Sequence, residues 1–201
     1  MDFTLENELT GKIALVTGGT KGAGKAIADR LLKAGATVII TARNKPQEPI
    51  DRMHFMAADL SKPEGTQQIV DRILHQFGHL DILINNMGSS ETPSGGFAVL
   101  SDNDWESTIQ TNLLAPVRLD RGFLPGMVQR GEGVIIHIAS IQGRLPLYEA
   151  TLPCQGWPDQ LQQGVIERGY CQRCTGTDRF SRMDQYGEYH KIFGTNRSVF
   201  N

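Results

Sequence analysis

The chain has 201 residues, 39% of them hydrophobic, and a formal net charge of -2. That length is about one domain's worth with room for a substantial core, and the near-neutral balance excludes the electrostatic footprint of a nucleic-acid or acidic-membrane binder. The three cysteines all lie after residue 152, which excludes a disulfide-built fold. No apolar stretch reaches the length of a membrane span, and the acidic opening MDFTLENELTG does not read as a signal peptide, so we expect a soluble, cytoplasmic protein.

Residues 12–24 read KIALVTGGTKGAG, a short apolar strand running into a glycine-rich turn that opens a helix. Ile13 to Val16 form the continuous apolar run of a parallel strand covered on both faces. Gly18, Gly22 and Gly24 remove side chains where the backbone must turn sharply and approach a ligand. A helix beginning near Gly22, with Ile27, Leu31 and Leu32 on its apolar face, points its free N–H groups and positive dipole end at the turn. That arrangement suits a pyrophosphate. The plainer alternative is a tight strand–helix connection with no ligand.

Thr37 to Thr41 gives a second strand, entered from a helix stop at Gly35, and His54 to Ala58 a shorter third. Ser61 and Glu64 have the spacing of a capping box, with Pro63 tolerated in the first turn, ahead of Ile69, Ile73, Leu74 and Phe77. Gly78 closes that helix, and Leu80 to Ile84 supplies a fourth strand. Residues 87–100 read as loop, and a helix starting near Ser101 carries Trp105 as a core residue with Ile109 and Leu113. Gly133 to Ala139 is a fifth strand, in which alternation of faces makes His137 a hydrogen-bonded structural histidine rather than a catalytic base. The alternation of strands and helices predicts an α/β fold, a doubly wound parallel sheet of Rossmann type, over residues 1–151.

Residues 152–201 differ in character. They hold only six Leu, Ile or Val, all three cysteines and three of the four tyrosines, with no sustained helical or strand period. We expect an irregular tail there, not a continuation of the domain. Cys171-x-x-Cys174 with Cys154 and His190 lacks the spacing of a four-ligand zinc site, so no metal is expected.

The first 151 residues resemble a classical short-chain dehydrogenase/reductase. TGGTKGAG resembles the family's cofactor loop, which gives Gly18, Thr20, Lys21, Gly22, Ala23 and Gly24 as cofactor contacts. Asp59 and Leu60 resemble the pair that contacts the adenine, and NNMG resembles the family's NNAG, with Met87 in place of alanine and Asn86 and Gly88 as further contacts. Asn112 falls where the family has its catalytic asparagine, and Ser140 where it has its catalytic serine. The resemblance implies hydride transfer between a nicotinamide and a small-molecule carbonyl or secondary alcohol, in a protein that is usually a homo-oligomer. NAD sites usually present an acidic residue after the second strand. Here that region reads TARNK, and Arg43 together with Lys21 would pair with a 2′-phosphate, so NADP(H) is the expected cofactor.

In that family a tyrosine carries the transferred proton, and a lysine one helical turn on lowers its pKa. This chain has no such pair: four places after Tyr148, Tyr170, Tyr186 and Tyr189 stand Leu152, Cys174, His190 and Phe193. Where the pattern after Ser140 calls for the tyrosine, the chain has Pro153 and Cys154. Asp159 to Gly176 can be encoded so that reading one nucleotide later gives TNYSKGLSNEVTAKGVRV, close to the family's helix and strand, and Cys154 to Pro158 shifts likewise into AKAGL. The tail therefore reads as a shifted frame, and the expectation is an impaired enzyme that does not assemble normally. The alternative is a catalytically dead remnant that binds only nucleotide or an intact homologue.

Overall fold

A computed structural model describes residues 7–46, 50, 52–89 and 99–138. Residues 90–98 and 139–201, Ser140 among them, lie outside the described residues. The described elements run β1 (Ile13–Thr17), α1 (Gly22–Lys33), β2 (Thr37–Ala42), β3 (His54–Ala57), α2 (Pro63–Phe77), β4 (Ile82–Asn85), α3 (Asp102–Ile109), α4 (Ala115–Arg130) and β5 (Val134–His137). The strands form one parallel sheet in the order β3-β2-β1-β4-β5.

Period-two alternation divides the core into two layers. Leu15, Ile39, Leu83 and Ile135 face one side, against Ile69, Val70 and Ile73 of α2 and Leu119, Phe123 and Met127 of α4. Ala14, Val16, Val38, Ile40, Ile82 and Ile84 face the other, against Ala28, Ile27, Leu31 and Leu32 of α1. Helices therefore cover both faces, as a sheet of near-continuous apolar strands requires. The cover is uneven: on β5, Ile136 is 43% exposed, although its register partner Ile84 is buried beside α1's layer.

The strand origins are tied by Asp81, which is 5% exposed. Its Oδ2 accepts the Ile13 N–H at 2.8 Å and lies 3.2 Å from His79 Nε2, while Arg130 Nη2 donates to the Leu80 carbonyl at 2.7 Å. Lys12 and Glu132 pair beside it.

Several local expectations are corrected. The Ser61–Glu64 box does not form: α2 is capped at Lys62 with no side-chain bond, one residue beyond the register the box needs. The Ser61 hydroxyl is taken by Asp59 Oδ1 at 2.7 Å instead. A reciprocal box does form at α3, between Ser101 and Asp104. Its hydroxyl bond holds the Asp104 carboxyl below its ordinary value. Trp105 is half-buried, not a core residue. Gly78 does close α2 in the left-handed conformation, φ 79°.

Candidate functional site

In the order β3-β2-β1-β4-β5 the chain turns opposite ways after β1 and β4, so a crevice opens at their carboxyl ends. The glycine turn follows β1 into that crevice, and residues 86–89 follow β4 into it from the other side. Thr17, the last residue of β1 and 1% exposed, joins the two. Its Oγ1 accepts the N–H groups of Asn86 and Met87, each at 2.9 Å, and donates to the Ile84 carbonyl at 3.3 Å. Asn86 Nδ2 donates back to the Thr17 carbonyl at 2.9 Å and approaches that of Gly18 at 3.4 Å.

The turn is tight because Gly24 permits it. A Cβ there would lie 2.3 Å from the Gly18 carbonyl oxygen and 2.4 Å from Asn86 Nδ2. Gly22 opens α1 in the left-handed region, φ 55°, and a Cβ there would meet nothing within 4 Å. Lys21 caps α1 in extended conformation with no side-chain bond, and the first turn of α1 has no acidic residue. Among the described residues no side chain accepts from the leading N–H groups of α1, and Lys21, Gly22 and Ala23 are exposed beside half-buried Thr20. Such a donor set at a helix N-terminus suits an anion. At the end of β2, Thr41 Oγ1 is buried and has no hydrogen-bond partner.

Arg43 follows β2 and is exposed. After β3, the Ser61 hydroxyl holds the Asp59 carboxyl below its ordinary value, helped by the Ser61 N–H and by the charges of Lys62 and Arg43. Arg43 and Asp59 follow β2 and β3, which are neighbours at one edge of the sheet. Leu60 is 2% exposed and its side chain belongs to the core.

Asn112 lies on neither α3 nor α4 but in a π-helical turn between them, Gln110–Leu114. Such turns insert an extra residue and redirect a side chain. Asn112 Oδ1 accepts the Ser89 N–H at 2.8 Å, and its Nδ2 donates to the Ser89 carbonyl at 2.9 Å. Both ends of the amide hold the segment after β4. A Cβ at Gly88 would lie 3.7 Å from the same Oδ1.

The crevice thus gathers Gly18, Gly22, Gly24 and Asn86, with Gly88 and Asn112 beside them and Arg43 and Asp59 after β2 and β3. Ser140 lies outside the described residues. Sequence reasoning missed Thr17, whose signal was only its place as the last strand residue before the glycines. It also missed the partners of His137, which come from β4 and α4. Among the described residues no group of three or more His, Cys, Asp or Glu could hold a metal ion, and no helix is long and apolar enough to cross a membrane.

The short chain dehydrogenase family model matches residues 12–152. The chain belongs to the short-chain dehydrogenase family. It is 37% identical over 153 residues to YvrD of Bacillus subtilis, named as an uncharacterized oxidoreductase, covering 71% of this chain and 56% of that one. To the 3-oxoacyl-[acyl-carrier-protein] reductase FabG of Vibrio cholerae it is 35% identical over 143 residues, covering 68% of this chain and 58% of the reductase. This family member thus spans little more than half the length of those relatives. Among solved structures, a metagenomic short-chain oxidoreductase in complex with NADP superposes with a TM-score of 0.70 at 28% identity, over 80% of this chain and 75% of that one. A short-chain dehydrogenase from Streptomyces avermitilis also gives 0.70, at 29% identity over 78% and 58%. The doubly wound fold expected from the sequence is the family's.

Proposed function

We propose that this chain binds NADP(H) in the switch-point crevice and belongs to an oxidoreductase acting on a carbonyl or secondary alcohol, with the reaction impaired in the chain as it stands. The observation that carries the reading is the glycine turn, held so close to Asn86 that Gly24 has no room for a Cβ while the space over Gly22 is open. The leading N–H groups of α1 would take the pyrophosphate, and Lys21 and Arg43 the 2′-phosphate. The bound nicotinamide would give or take the hydride. Asp59 and the Leu60 backbone would border the adenine, and Asn86 and Gly88 the inner half of the site. Asn112 would fix residues 88–89 through Ser89, and Ser140 would orient the substrate oxygen. The NADP carried by a structural neighbour of this fold supports the cofactor assignment.

No tyrosine in the sequence is followed four places on by lysine. That absence favours a second reading, a nucleotide-binding remnant without turnover. The absent general acid contributes about 10²–10⁴-fold in rate, and losses of positioning add to that. The deciding experiment assays NADPH oxidation with a panel of ketones and aldehydes, using this chain and one in which the frame after Thr151 is shifted back with the tyrosine restored. We expect turnover only from the second. Comparable turnover by the 201-residue chain, abolished by Ser140→Ala, would overturn the impairment; none from either would overturn the enzyme reading.

A further inference from the structure

Behind the crevice three side chains from three elements close a ring. Asn85 Nδ2, at the end of β4, donates to Asp120 Oδ1 of α4 at 2.8 Å and lies 3.4 Å from His137 Nδ1 of β5. His137 Nε2 lies 3.2 Å from Asp120 Oδ2. The ring is enclosed: Asn85 is 1% exposed, and the side chains of His137 and Asp120 are 9% and 19% exposed.

Its donors and acceptors have one consistent assignment. The carboxylate only accepts, so the Asn85 amide must turn its NH₂ toward Asp120. The same nitrogen faces His137 Nδ1, which must then present its lone pair, leaving the ring proton on Nε2 to be donated to Asp120. Turning the amide over would set its oxygen against the carboxylate. The arrangement leaves Asn85 Oδ1 buried and without a partner, so the ring holds its orientation at the cost of one acceptor.

The position of the ring gives it a role. The next residue after Asn85 is Asn86, which bonds Thr17 and Gly18. Asp120 lies on the helix that continues from the Asn112 turn, and His137 precedes Ser140 by three residues. We infer that Asn85, Asp120 and His137 form a positioning latch, locked in the Nε2–H tautomer of His137, that registers residues 86–89 and α4 behind the nicotinamide end of the cofactor site.

The test moves the carboxylate around the ring. Asp120→Asn sets an amide donor against a neighbour that is itself a donor, so the parent's arrangement, with His137 accepting at Nδ1 and donating at Nε2, cannot close. The swap Asn85→Asp with Asp120→Asn puts an acceptor at the former donor corner, to which Nδ1 of His137 can donate. Long-range ¹H–¹⁵N spectra should show the parent's His137 as the Nε2–H tautomer and a proton on Nδ1 in the swap. Amide exchange at Asn86 and Met87 should speed up at least about ten-fold in Asp120→Asn and return most of the way in the swap. NADPH affinity, which rests on the proposed cofactor reading, should fall about ten-fold and recover in parallel.

A parent that fails to bind NADPH removes only the cofactor reading, since the tautomer and exchange still decide the latch. If Asp120→Asn does not fold and the swap does, the latch stands. A parent His137 in the Nδ1–H form, unchanged exchange in Asp120→Asn, or a swap no better than the single variant overturns it.

Discussion

Thr17 and Asn86 hold each other reciprocally: the threonine hydroxyl accepts the asparagine N–H at 2.9 Å, and the asparagine amide donates to the threonine carbonyl at 2.9 Å. Thr17→Val keeps the shape but leaves the N–H groups of Asn86 and Met87 without an acceptor. Each such group costs about 1–3 kcal/mol. We predict a loss of about 2–4 kcal/mol by urea unfolding, together with weaker NADPH binding. A loss under about 0.5 kcal/mol would mean that the two segments are registered by other contacts.

The glycines of the turn should respond differently to one methyl group. Gly24→Ala drives a Cβ to 2.3 Å from the backbone oxygen of Gly18, so the turn must open. Overpacking of this kind costs about 1–3 kcal/mol, and we expect NADPH affinity to fall beyond measurement. Gly22→Ala meets open space, and its cost is only the left-handed backbone, about 1–2 kcal/mol. Calorimetric titration of both variants checks the order; tighter binding by Gly24→Ala than by Gly22→Ala would contradict the turn's proposed role.

Asp59 links the adenine end of the site to pH. Its folded-state pKa is depressed, chiefly by the Ser61 hydroxyl, so it contributes stability that is present above the ordinary aspartate value and lost as pH falls through the folded value. Ser61→Ala should therefore destabilise the protein at neutral pH and converge with the parent below about pH 4. Unfolding curves across that range measure it. A stability difference that persists undiminished in acid would place the effect of Ser61 elsewhere.

Among the described residues β5 is an edge strand, with Ile136 and Ile138 exposed on the face that α1 covers only farther along the sheet. An open apolar edge promotes association. We expect the chain to self-associate, and Ile136→Lys to reduce its light scattering without lowering its melting temperature. A monodisperse parent, or light scattering that Ile136→Lys leaves unchanged, would contradict an open apolar edge at β5.

The sheet and the glycine turn were legible because their signals are local and periodic: apolar runs at Ile13 to Val16 and at Thr37 to Thr41, and glycines where only glycine fits. The Ser61–Glu64 box was misread because two competing acceptors cannot be ranked from spacing. Asp59 lies two residues before Ser61 and takes its hydroxyl. Asn112 was legible as a residue but not in its contact, since the π turn that aims it at Ser89 leaves no mark in a helical pattern. The partners of His137 were illegible for another reason. Asn85 and Asp120 stand 52 and 17 residues away, and only the pairing of β4 with β5 under α4 brings them together.

The most direct test of the account is a fluorescence titration of the chain with NADPH and with NADH, alongside Arg43→Ala. A charged contact to the 2′-phosphate is worth about 1.5–3 kcal/mol, so NADPH should bind at least about ten-fold more tightly than NADH. Arg43→Ala should erase most of that preference while leaving NADH affinity unchanged. Equal affinity of the parent for both nucleotides would contradict the NADP(H) assignment, and binding of neither would contradict the cofactor site itself.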